Sequence, residues 1–140
     1  MIQFSPSSPA NVLSAWLNQV AIRRLEKTDL PALEWNGQYT HYRRIYASAY
    51  QQMLKGNAIL WVADMPTHGL IGQVFIQLNG ERPELADGNI RAYLYAFRIQ
   101  PAYRSCGLGS RMLNTVEEDL RQRDFHIITL NVAKNNPRTL

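Results

Sequence analysis

The chain has 140 residues and 16.1 kDa, with 46% hydrophobic, 10% aromatic and 19% charged residues. That length suits one domain and excludes two, and the apolar fraction is high enough for a core, which excludes a disordered chain. Fifteen Lys and Arg against eleven Asp and Glu leave a formal charge of +4, which favours an anionic ligand or partner without choosing among phosphates, nucleic acid and acidic protein.

No apolar run reaches the ~18 residues of a membrane span, and Met1 to Ala10 lacks a basic start followed by a hydrophobic stretch. Neither a membrane protein nor a secreted one is expected. Cys106 is the only cysteine, so there is no internal disulfide and no Cys-based metal site, as suits a reducing cytoplasm. His41, His68 and His126 lie far apart without metal-ligand spacing, and no metal is expected.

In chain order, Ser8-Pro9 offers a cap and a first-turn proline for a short helix, with Val12, Leu13, Trp16, Leu17 and Val20 on one stripe. Residues 1–19 read as an extension carrying that helix, and 20–140 as the domain. Ala21 to Leu25 reads as a strand. Thr28-Asp29 caps a short helix over Leu30 to Trp35, stopped by Asn36-Gly37. Tyr42, Ile45, Tyr46, Ala49 and Met53 mark a second helical stripe ending at Lys55-Gly56, with Arg43 and Arg44 on its solvated flank.

Ala58 to Ala63 and Leu70 to Leu78 read as paired strands around an Asp64 to Gly69 turn. After a loop rich in turn residues, Ile90 to Ile99 reads as a long strand with Tyr93, Tyr95 and Phe97 on one face. Pro101 breaks it. Leu108, Met112, Val116 and Leu120 then recur every four residues in a helix from Gly107 to Arg123, with Glu117 and Arg121 as an i,i+4 pair. Ile127 to Val132 is a further strand, and Lys134 to Arg138 reads as a loop entering another helix at Asn136-Pro137. The order β-α-α-β-β-β-α-β predicts a mixed α/β (α+β) domain with an antiparallel meander before its strand-loop-helix unit.

The informative segment is Ile99 to Ser110, where a strand ends, a proline and an arginine follow, and Gly107 and Gly109 open a helix. Residues without Cβ let backbone approach a ligand, and the orphan amides and positive dipole end of the helix favour phosphate oxygens. The spacing is neither GxGxxG nor a Walker loop. Ile99-Gln100-Pro101-Ala102-Tyr103-Arg104-Ser105-Cys106-Gly107-Leu108-Gly109 closely resembles the acetyl-CoA-binding motif of the GNAT N-acetyltransferases, V-x-P-x-x-[RQ]-x-x-G-x-[GA]. Ile22-Arg23-Arg24 and Ile71-Gly72-Gln73 resemble that family's first and third strands. Ile127 to Val132 with Lys134-Asn135-Asn136-Pro137-Arg138 resembles its fifth strand and the entry to its fourth helix.

The resemblance implies the GNAT acyl-CoA N-acyltransferase fold, acetyl-CoA as cosubstrate and an amine acceptor. It implies that the backbone of Phe97, Arg98 and Ile99 pairs with the pantetheine arm, and that amides of Ser105, Cys106, Gly107, Leu108, Gly109 and Ser110 hold the pyrophosphate. Arg104 matches the loop's Arg or Gln, and Asn136 matches an asparagine used against pantetheine. Arg98, Arg111, Lys134 and Arg138 would add diffuse attraction for CoA's phosphates. The family's last helix, with its thiolate-protonating tyrosine, and its final two strands have no counterpart before Leu140. The expectation is therefore a fragment of a longer chain with an open edge on the fifth strand; a genuine 140-residue product would have to finish its sheet with a partner subunit, as in a homodimer, or remain a weak binder.

Transfer needs a free amine, a polarised thioester carbonyl and a proton for the departing thiolate. Tyr93 and Asn131 occupy positions where relatives carry a glutamate, and neither a phenol nor an amide is a good base at neutral pH. Glu34 and His41 are the remaining candidates from the acceptor-lining region, and a water-relayed base is the alternative. Two other readings are a non-catalytic acyl-CoA-binding or regulatory module, motivated by the missing carboxylate, and a nucleic-acid-binding domain. No RNP-like, helix-turn-helix or zinc pattern supports the last, so no nucleic acid partner is expected.

Overall fold

The computed structural model describes residues 15–35, 37, 40–130 and 138–140. Six strands form one sheet in chain order: β1 (Ala21–Arg24), β2 (Ala58–Met65), β3 (Gly69–Gln77), β4 (Arg91–Ile99), β5 (Ile127–Leu130) and β6 (Arg138–Thr139). Neighbours run antiparallel except β4 and β5. Helix α1 (Arg43–Leu54) precedes β2, and helix α2 (Leu108–Gln122) makes the crossover that a parallel pair requires.

Alternation along β2 explains the two cores. Ile59, Trp61 and Ala63 face α2, whose Leu108, Met112, Val116 and Leu120 recur every four residues and are all essentially buried. Leu60 and Val62 face the other way, toward Tyr46 and Ala49 of α1 and toward Leu33. With both faces covered, β2 reads in sequence as a continuous apolar run rather than an alternating one. Each large side chain so buried contributes about 1.5–3 kcal/mol.

Several elements differ from the sequence reading. The first helix is a 3-10 helix over Lys27–Glu34. Glu26 caps it in place of Thr28, and Asp29 Oδ2 accepts the Glu26 amide at 2.7 Å. Pro31 sits inside it. Ile45 is 49% exposed because the buried stripe of α1 runs through Tyr46 and Ala49 and leaves it on the flank. Arg138 belongs to β6, not to a helix entry, and Ile128 pairs with it while Ile127 pairs with Thr139. The unpaired groups along β5 give an extended segment a ladder to join, and the edge expected to be open is met there. Val12, Leu13, Asn36 and 131–137 lie outside the described residues.

Candidate active site

The sheet opens at β4. Arg91 to Leu94 pair with Ile127 to Leu130 of β5, and beyond Leu94 the β5-facing edge of β4 has no ladder partner among the described residues. On its other side the register with β3 slips by one: Phe75 opposes Tyr95, whereas Gln73 opposes Arg98. The extra residue is accommodated at Ala96, which is left-handed with φ +51°. Tyr95 and Ala96 therefore both lie toward α1, and Phe97 turns to the α2 face. The single face expected for Tyr93, Tyr95 and Phe97 is broken by this bulge, which reverses the alternation after Tyr95.

The strand then ends in a pinned loop. The Gln100 amide donates to the Ile71 carbonyl at 2.9 Å and the Gln100 side chain to Leu70 at 3.1 Å. Arg104 Nε donates back to the Ile99 carbonyl at 2.8 Å, and the Cys106 thiol donates to the Arg104 carbonyl at 3.0 Å. Ser105 (φ +60°) and Gly107 (φ +91°) are left-handed on either side of Cys106, the kind of backbone that builds an anion-binding nest. Gly107 caps α2, whose first turn closes with the Arg111 amide on the Gly107 carbonyl at 3.1 Å. The amides of the first turn before it have no intrahelical partner, and the helix dipole adds partial positive charge there. A Cβ on Gly109 would lie 3.4 Å from Ile99 and 3.7 Å from Phe97, ordinary contacts that place the first turn of α2 against the end of β4. These residues fit a pyrophosphate beside an extended arm.

The segment before β1 braces this loop. Trp16 packs edge-on against Tyr103 with ring centroids 5.2 Å apart, and the Leu17 carbonyl accepts a hydrogen bond from Arg111. Arg111, expected to attract phosphate, is thus engaged in holding that segment to α2.

On the α1 side of the bulge, rings run from Tyr42 through Tyr46, Phe75 and Tyr95 to Tyr93, with successive centroids 5.4 to 6.1 Å apart. Arg98 projects into them: its guanidinium lies 4.2 Å from the Tyr42 ring centroid and donates to the Tyr46 hydroxyl at 3.1 Å. Its guanidinium thus lies on the α1 face of β4, against Tyr42 and Tyr46. Burial, aided by neighbouring Tyr93, pushes the Tyr95 phenol up to about 12, so it stays protonated and is no base near neutral pH. Two adjoining grooves of about 340 and 430 Å³ share Ser48, Gln52 and Gln77, the first reaching Arg44 and Tyr95 and the second Arg82 and Tyr93. They form a polar trough on the α1 side of β4.

Tyr93 lies in that trough, stacked on Tyr95 at an interplanar angle of 7°. His41 is exposed beside Tyr42, with ring centroids 4.1 Å apart. Glu34 is clamped by both guanidinium donors of Arg43, at 2.8 and 2.9 Å, and that pairing holds its carboxyl below the usual range. A carboxylate so held is a weaker base, which counts against Glu34. Asn131, Lys134 and Asn136 lie outside the described residues.

Sequence reasoning missed two features. The Ala96 bulge announces itself only as a conflict of phase, since Ala92 and Leu94 share one face while Phe97 and Ile99 share that same face at odd numbers. Gln73, part of the third-strand resemblance, is fully buried and its Nε2 donates to the Ala96 carbonyl at 3.1 Å. The signal available was an amide within an otherwise apolar strand.

Known proteins can be set beside this geometry. A structure from Bacillus halodurans, described as a transcriptional regulator, is 23% identical with a TM-score of 0.62, covering 82% of this chain and 83% of that one. The ribosomal-protein-S18-alanine N-acetyltransferase of Escherichia coli is 21% identical at TM-score 0.61, covering 81% of this chain and 66% of its own. The GNAT family N-acetyltransferase YhbS of Escherichia coli, solved in complex with CoA, is 16% identical at TM-score 0.56, covering 80% and 62%. At these identities the likeness shows the shared fold. Among curated proteins, none matches the sequence. The model of the acetyltransferase (GNAT) family matches residues 20–140, and the chain belongs to that family, whose members transfer an acyl group from acyl-CoA to an amine.

Proposed function

We propose that this protein is an N-acetyltransferase that uses acetyl-CoA and passes the acetyl group directly to a primary amine on a small molecule or a protein. One observation carries the reading: a bulged β4, whose β5-facing edge beyond Leu94 has no ladder partner among the described residues, runs straight into a left-handed, glycine-capped helix start. The Phe97 to Ile99 backbone pairs with the pantetheine arm as a further strand would. Amides from Ser105 to Ser110 take the pyrophosphate, while Arg104 holds the loop closed against Ile99. Acetyl-CoA when bound supplies an activated thioester carbonyl. An amide of β4 beside the bulge polarises that carbonyl, which is the largest contribution a preorganised backbone can make.

The amine arrives through the trough on the α1 side, past Tyr93 and Tyr95. Its proton leaves through water, since Tyr95 stays protonated and Glu34 is clamped by Arg43, and water returns a proton to the CoA thiolate as the C–S bond breaks. Cys106 takes no acetyl group, because direct transfer needs no enzyme nucleophile and its thiol donates to a neighbouring carbonyl. A lone thiol beside the cradle suits a reducing, cytoplasmic setting.

The test joins a thermal shift to a thiol-release assay. Acetyl-CoA at a hundredfold excess over its dissociation constant stabilises the fold by about 2.7 kcal/mol. An amine panel then identifies at least one acceptor that accelerates thiol release. Stabilisation with no turnover for any amine would favour a non-catalytic acyl-CoA-binding module, and no stabilisation by millimolar CoA would remove the reading altogether.

A further inference from the structure

Two costs sit side by side at the sheet opening. Ala96 holds a left-handed backbone that costs a residue with a Cβ about 1–2 kcal/mol. Across from the bulge, Gln73 is completely buried within an otherwise apolar strand, and its Oε1 has no hydrogen-bond partner among the described residues. An orphaned buried acceptor costs about 1–3 kcal/mol, and an apolar side chain of the same length would avoid it. A single hydrogen bond joins the two, from Gln73 Nε2 to the Ala96 carbonyl at 3.1 Å. Strain that persists only because its surroundings fix it is a pointer to function.

We infer that Gln73 is a positioning residue for acyl transfer: its side-chain amide fixes the Ala96 bulge and so aims the following β4 amides at the thioester carbonyl. The inference rests on the acetyl-CoA reading given above. The bulge turns Phe97 to the α2 face, and beyond Leu94 the β5-facing edge of β4 has no ladder partner among the described residues. The Ala96 carbonyl, rotated out of regular pairing, is available to a side chain, and Gln73 reaches it from β3. In register Gln73 faces Arg98, so the bond sits at the restart of the β3–β4 ladder after the slip. Without the donor, the Ala96 carbonyl is left unpaired and the strand relaxes toward regular alternation. The pyrophosphate cradle is held independently by Gln100, Arg104 and the start of α2, so it stays in place.

The test is Gln73→Met, which keeps length and apolar packing but removes the donor. Misaiming the polarising amide, rather than deleting it, lowers kcat by ~10-fold or more. KM for acetyl-CoA stays within about threefold, since the cradle is intact. In amide spectra, acetyl-CoA still shifts Ser105 to Ser110 but no longer gives the wild-type shifts at Phe97 to Ile99. Unchanged kcat, or loss of both sets of shifts together, overturns the inference. A second measurement needs no variant: in the ligand-free protein the Gln73 side-chain amide exchanges slowly with solvent deuterium, and fast exchange overturns the contact itself. A wild-type protein that binds no CoA defeats the acetyl-CoA reading instead, whatever that exchange rate is.

Discussion

Gly107→Ala separates backbone conformation from space. Gly107 sits at φ +91°, and the nearest atom to an added Cβ is Leu17 Cδ2 at 3.7 Å, an ordinary contact. The whole penalty is therefore conformational, about 1–2 kcal/mol for a residue with a Cβ held left-handed. For a domain of this size that lowers Tm by ~3–8 °C. If the loop relaxes to escape the strain, the cradle amides turn away and acetyl-CoA no longer raises Tm. Gly109→Ala is the control: its Cβ meets Ile99 at 3.4 Å and Phe97 at 3.7 Å, again ordinary contacts, in a helix where alanine is favoured. Differential scanning fluorimetry with and without acetyl-CoA should show Gly107→Ala losing both Tm and the ligand shift, while Gly109→Ala keeps both. If the two variants behave alike, Gly107 does not owe its place to the left-handed turn and the nest is misread.

Four further outcomes follow from the site. Tyr93→Phe and Tyr95→Phe leave the acidic limb of the pH–rate profile unmoved, although either can lower the rate; disappearance of that limb would identify a proton acceptor among them. Glu34→Gln likewise preserves the limb, because its carboxyl is held low by Arg43, and a shifted limb would restore it as the base. Cys106→Ser retains transfer and loses any thiol-reagent sensitivity of CoA binding, whereas loss of turnover with CoA affinity intact would point to an acetyl-cysteine step. Asp29→Asn destabilises the fold at neutral pH. The Arg23 pairing holds the Asp29 carboxyl low, so the stabilisation is present above the ordinary aspartate range near about 3.9 and fades as pH falls through the lowered value. Urea melts of both proteins should converge in acid, and a gap that persists there would exclude the ion pair as its cause.

What the sequence revealed was whatever punctuation and period encode. Pro101, Gly107 and the four-residue spacing of Leu108, Met112, Val116 and Leu120 placed the loop and α2 closely, because a proline break and a helical stripe are local signals. The bulge was invisible for the opposite reason. A register slip depends on how β3 and β4 pair, and alternation read along β4 alone puts Phe97 with Tyr95. The charge of Arg98 and Arg111 is legible in the sequence but their contacts are not: one guanidinium lies on the Tyr42 ring and the other holds Leu17, because the direction in which a side chain projects is set by the pairing around it. Arg138 lies in a strand rather than in a helix because an unpaired strand edge attracts extended chain, a tertiary effect without a local signature, while Asn136 and Pro137, where the helix entry is expected, lie outside the described residues.

The most direct measurement is a crystal structure with CoA bound. The account predicts the pantetheine arm alongside Phe97 to Ile99 on the β5-facing edge of β4, with pyrophosphate oxygens within hydrogen-bond distance of amides between Ser105 and Ser110. CoA bound anywhere else, or a β4 that pairs with β5 through Ile99 and leaves no room for the arm, would contradict it.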